Sequence, residues 1–136
     1  MPVRRTLLAA ALLAAASAGH ARAAVADGRL PDGAYHCEVY MLGMFLNLGD
    51  IVIRGSTYSM PGLFGGGQQN YHYQLSQDGE ITWLRPLGGY TSGGNSISLT
   101  QVTADGDKDA SFDIIMRQPD GAFTASTCTI RISPTL

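Results

Sequence analysis

From residue 33 onward the chain alternates between apolar and polar positions. Tyr35, Cys37 and Val39 fall on one side of an extended run, and His36, Glu38 and Tyr40 fall on the other. That period of two is what a half-buried β-strand imposes. The same pattern recurs at residues 48–54, with Ile51 and Ile53 opposed to Asp50, Val52 and Arg54, and briefly at 57–60. Tyr71, Tyr73 and Leu75 share a face over 71–75, and Ile81 and Trp83 face inward over 80–85. Ile97 and Leu99 mark the apolar face of 96–102, and Phe112, Ile114 and Met116 that of 111–117. The last run covers about 123–132, with Cys128, Ile130 and Ile132 inward; Phe123 is out of that phase, which predicts a bulge near 124–126.

Turn residues punctuate these runs: Pro31-Asp32-Gly33, Gly55-Ser56, Asp78-Gly79 and Pro119-Asp120-Gly121. Asp-Gly beside an alternating run is a strong hairpin signal, and Pro86 ends the fifth run because proline cannot donate to a ladder. No helical period competes. The expectation is an all-β fold, a small antiparallel up-and-down barrel of about eight strands, with a β-sandwich as the alternative. In such a barrel the first and last strands are neighbours. Cys37 and Cys128 lie on those strands and both face inward, so a bridge between them and the closed topology support each other.

Before residue 24 the pattern is of another kind. Arg4 and Arg5 precede an unbroken Leu/Ala run over residues 7–16, and a small-residue site follows at Ala21-Arg22-Ala23. These are the parts of a secretory signal peptide, and the run is shorter than the roughly 20 apolar residues a membrane span takes. The expected organisation is a cleaved signal peptide over 1–23 and one all-β domain over 24–136, periplasmic or secreted, with no transmembrane segment. An even pair of cysteines in an exported chain reads first as a disulfide. Past residue 23 the chain keeps six of its nine basic residues and all eleven acids, so its net charge falls from −2 to −5. That balance, with one Lys and no basic run, argues against nucleic acid and against an anionic membrane surface.

Candidate chemistry is sparse. His36 and Glu38 share a face at i, i+2 and offer two metal ligands, but zinc sites usually want three or four. Asp105, Asp107 and Asp109 match the opening of a calcium loop; Ala110 then stands where that loop needs Gly and Met116 where it needs Glu. There is no G-x-S-x-G elbow, and Gly65-Gly66-Gly67 lacks the Lys and Ser/Thr of a phosphate loop. No metal, cofactor or catalytic group is therefore expected.

The unusual feature is apolar residues where links belong. The segment Met41, Leu42, Gly43, Met44, Phe45, Leu46 joins the first two strands, and Leu63 and Phe64 sit in a glycine-rich link. Links are normally polar because their backbone stays wet. Either these residues fold over a barrel end and cap the core, or they form an adaptable apolar patch for a partner. If strands alternate up and down, both links lie at the same end. In size, compartment and architecture the chain is similar to the small bridged barrels that include bacterial inhibitors of lysozymes and metalloproteases, without motif residues of either. The expected function is an exported, non-enzymatic, inhibitor-like binding module. Its partner-binding candidates are Met41, Leu42, Met44, Phe45, Leu63 and Phe64, and its partner is a protein or cell-envelope component. The alternative is a carrier of a small apolar ligand in a barrel cavity.

Overall fold

The alternating runs become eight antiparallel strands. The structure, a computed structural model, describes residues 27–131; the segment 1–23, expected to be a signal peptide, and Ile132 lie outside them. In chain order the strands are β1 (Gly33–Met41), β2 (Met44–Arg54), β3 (Thr57–Ser59), β4 (Tyr71–Leu75), β5 (Ile81–Trp83), β6 (Ser96–Ala104), β7 (Ser111–Arg117) and β8 (Phe123–Ile130). They form one sheet in the order β5-β4-β3-β2-β1-β8-β7-β6. Chain neighbours pair, and β1 pairs with β8, which is the up-and-down arrangement curling on itself. The seam between β5 and β6 is looser. One bridge joins Glu80 to Gln101, the Val102 N–H donates to the Gly79 carbonyl at 2.8 Å, and the Trp83 indole N–H donates to the Thr100 hydroxyl at 2.9 Å. The result is a nearly closed barrel. The described residues include no α-helix, only a short 3-10 turn at Gly88–Tyr90.

Inward residues fill the interior. Tyr35, Ile51, Ile53, Tyr58, Phe112 and Ile114 are fully buried, as an eight-stranded barrel of this width requires. The ring of Trp83 packs against Tyr58, Tyr73 and Phe112. The phenols find partners at the barrel ends: Tyr35 donates to Pro31 O at 2.6 Å, Tyr73 to Gly55 O at 2.8 Å, and Tyr90 pairs with Ser126 at 2.7 Å. Their desolvation disfavours the charged phenolate. Burial pushes Tyr58 and Tyr90 up to about 12 and raises Tyr35 and Tyr73 above the ordinary tyrosine value.

Cys37 and Cys128 face each other in the β1–β8 register. They are bonded at 2.06 Å, fully buried, and separated by 91 residues of sequence. The bridge thus ties the first strand to the last at the place where the barrel closes.

Three expectations change. β2 begins at Met44 rather than 48, because the chain from Met44 onward pairs back on β1 as far as Met41. In β6 the register shifts between Ile97 and Leu99, which turns Leu99 outward and Thr100 inward, 1% exposed. In β8 the pairing with β7 runs unbroken from Thr129 to Phe123. No bulge brings Phe123 in; its side chain faces out and stays exposed.

Candidate functional site

The apolar link between the first two strands is a hairpin. Its turn is two residues, Leu42 and Gly43, at φ 53° and 79°, the positive pair that a type I′ turn uses. Met41 pairs with Met44, Tyr40 with Phe45 and Val39 with Leu46. β8 pairs with β1 only as far as Val39, and β3 pairs with β2 only at Val52, Ile53 and Arg54. Among the described residues, the ribbon from Tyr40 to Asn47 therefore has no strand on either flank and stands clear of the wall. Leu42 at its apex is 97% exposed and Phe45 71%. Tyr40, Met41, Met44 and Leu46 are exposed too, and the Tyr40 and Phe45 rings meet edge to face at 5.1 Å. Because side chains alternate across the ribbon, both of its faces are apolar.

Leu63 and Phe64 have opposite fates. Leu63 is 5% exposed and belongs to the core, so it caps the barrel and contributes nothing to a surface. Phe64 is 36% exposed and held at three points. Its N–H donates to Leu48 O at 2.8 Å, its carbonyl accepts from Gly89 N–H at 2.8 Å, and its ring meets Tyr90 edge to face at 5.1 Å. Gly89 is required there, since a Cβ at that position would come within 1.9 Å of the Phe64 ring. The flanking glycines therefore do not leave Phe64 loose.

Phe64 also lines a cavity of about 160 Å³ in the barrel mouth, with Met41, Val39, Leu48, Tyr90 and Met116. The structure thus brings Met41 and Phe64 together and leaves Leu42, Met44 and Phe45 beyond them on the ribbon. The sequence reading missed Tyr40 and Phe123 as parts of this end. Phe123, out of phase with the inward residues of its strand, carried the signal: an outward aromatic, not a bulge.

Charge divides along the barrel axis. The links at the hairpin end are Leu42-Gly43, 60–70, 84–95 and 118–122, and they hold only Arg85 and Asp120 as charged residues. The other end carries Asp27 and Asp32 before β1, Asp78 and Glu80 between β4 and β5, and Asp105, Asp107 and Asp109 between β6 and β7. Against these stand Arg29 and Lys108 in the same segments, with Arg54 and Arg131 at strand ends; Arg117, at the end of β7, adds a third charge to the hairpin end.

The outer wall of β1 and β8 holds a shallow open groove of about 500 Å³, lined at one end by Tyr40 and Phe45 and at the other by His36, Glu38 and Arg131. His36 Nδ1 lies 2.9 Å from Asp50 Oδ1 and 2.8 Å from an Arg131 guanidinium nitrogen, and its Nε2 is 3.4 Å from Glu38. The Arg131 guanidinium occupies the space where a cation would sit beside Asp50, 3.8 Å from its second oxygen. His72 lies on β4, three strands from β1, and is not brought to this cluster. Among the described residues, no group of three or more His, Cys, Asp or Glu side chains is placed to hold a metal ion, and no helix is long and apolar enough to cross a membrane.

The molecule is thus a small disulfide-bridged up-and-down barrel that carries an apolar hairpin on its sparsely charged end. Comparison with protein-family models, with curated proteins and with solved structures found no match.

Proposed function

We propose that this chain is an exported, non-enzymatic binding module that engages a protein or cell-envelope partner through the sparsely charged end of the barrel. The observation that carries this reading is Leu42. A left-handed backbone disfavours leucine and suits Asn or Gly, and a fully exposed leucine gains nothing from the fold. Folding thus disfavours the residue on its backbone and gains nothing from its side chain; a contact outside the molecule accounts for it. Met44 and Phe45 beside it extend the same exposed surface. Export is supported by the N-terminal pattern and by the buried bridge, which suits an oxidising compartment. A carrier function is less well supported. The interior is already filled by tyrosine, phenylalanine and isoleucine side chains, and the mouth cavity of about 160 Å³ is below the roughly 300–1,000 Å³ of small-molecule sites.

The test is retention of the purified chain on an envelope fraction of the producing cell. Leu42→Asp and Phe45→Asp should abolish retention without lowering the melting temperature. Leu99→Asp, on an exposed leucine of the β6 wall, should leave it intact. Equal retention of all three variants would remove the hairpin as the binding face.

A further inference from the structure

The chemistry of the hairpin narrows the partner, given the reading that this end is a binding face. Specific protein interfaces carry about one hydrogen bond per 100–200 Å² and a polar rim. The segment from Val39 to Leu46 has one side chain able to hydrogen-bond, the Tyr40 hydroxyl, and no charge. Its side chains offer a protein partner little that is directional to read. It is also apolar on both faces, so a partner laid against one face leaves the other in water. An environment that surrounds the tip, and asks for no hydrogen bonds, matches it better.

We infer that the hairpin tip inserts into the outer part of a lipid leaflet, with the barrel standing on the membrane surface by its sparsely charged end. The dimensions agree. Leu42 lies two residues beyond the Tyr40–Phe45 pair, about 7 Å at the rise of a strand, within the roughly 5–10 Å to which interfacial segments bury their apolar side chains. Tyr40 and Phe45 then sit at headgroup level, where aromatic rings anchor. The hairpin pairs its own backbone as far as Met41 and Met44. The peptide groups of the Leu42–Gly43 turn and the outward edges of Tyr40 and Phe45 stay within the interfacial zone, where water and polar lipid groups satisfy them.

Charge fixes the orientation and the lipid. The acidic links of the opposite end point away from the bilayer, and the near side carries only Arg85 and Asp120 in its links and Arg117 at the end of β7. With no basic patch to draw it to anionic headgroups, the surface fits zwitterionic lipid.

Flotation of the full chain, purified after export, with phosphatidylcholine vesicles tests this. The protein should float with the vesicles, and raising the salt should leave the bound fraction unchanged. Adding phosphatidylglycerol should not strengthen binding. Leu42→Asp and Phe45→Asp should each lower partitioning by about tenfold or more, while Leu99→Asp should not. Three results would overturn the inference: no binding to phosphatidylcholine; binding only to vesicles with phosphatidylglycerol, lost at raised salt; or a concentration-dependent dimer abolished by Phe45→Asp in the absence of vesicle binding. If envelope retention depends on the hairpin but pure vesicles do not bind, the binding-face reading stands and the lipid inference falls.

Discussion

Leu42→Asn separates what the fold needs from what the surface does. Leu42 has φ 53° and is 97% exposed, so the substitution removes almost no packing. Left-handed backbone costs an ordinary L-residue roughly 1–2 kcal/mol, and Asn tolerates it by local hydrogen bonding. Part of that cost persists with Asn, so the expected gain in folding stability is about 0.5–1 kcal/mol. For a domain near 100 residues, 1 kcal/mol moves the melting temperature by about 4–8 °C, which gives a rise of roughly 2–8 °C. Urea unfolding should show the same gain as a higher midpoint with an unchanged slope. Leu63→Ala is the contrasting case. Leu63 is 5% exposed in the capped end of the core, and truncation of a buried leucine costs about 2–5 kcal/mol. In the retention and flotation assays, Leu42→Asn should bind more weakly than the parent in spite of its greater stability. A loss of stability of more than about 1 kcal/mol in Leu42→Asn would mean that the Leu42 side chain is packed in the native molecule. A stabilised variant with undiminished binding would refute the claim that Leu42 is kept for a contact.

The bridge and the buried phenols give two more expectations. Replacing Cys37 and Cys128 together by Ala should lower the urea midpoint by the equivalent of about 2–5 kcal/mol, since closing a loop of 91 residues sits toward the upper end of the chain-entropy model; an unchanged midpoint would show that the bridge does not constrain the unfolded chain. Tyr58 and Tyr90 ionise near 12 in the folded state and near 10 when unfolded, with Tyr35 and Tyr73 raised in the same direction. Their contribution is whole below pH about 10 and is lost as pH rises toward about 12, because the unfolded chain releases its phenolic protons first, at up to about 1.4 kcal/mol per tyrosine per pH unit. Urea midpoints that stay flat across that window would contradict it.

The strands that read cleanly from the sequence are those with one wet face and one dry face along their whole length. β4 and β7 end where their alternation ends, at Tyr71 and Leu75 and at Ser111 and Arg117. The first and last strands were legible as neighbours because their cysteines share the inward phase. Alternation failed where the physics behind it fails. Met44 to Asn47 stands out of the wall with both faces exposed, so no dry face exists to impose a period, and a strand reads as a link. At Thr100 a buried hydroxyl is satisfied by the Trp83 indole, and a pattern of apolar and polar letters cannot see an inward polar group that has found its partner. Phe123 misled in the opposite sense, since an exposed aromatic looks like one that still has to be buried.

The candidate surface was half legible for a related reason. An uncharged apolar run marks a segment that water does not favour, but it does not say whether the segment folds back or stands out. Leu63 folded back and Leu42 stood out, and what separates them is register. Leu42 is held away from the barrel by a tight turn and by pairs on the far side of the last wall contact at Val39, whereas Leu63 lies in a link long enough to return over the mouth. The polarity of the barrel ends needs less. In an up-and-down chain, alternate links share an end, so charge can be counted link by link without any coordinates. The first, third, fifth and seventh links together hold one Arg and one Asp, and the fourth and sixth hold five acids and one Lys. Topology turns that alternation along the chain into an asymmetry in space, and the apolar hairpin sits on the end that the charges avoid.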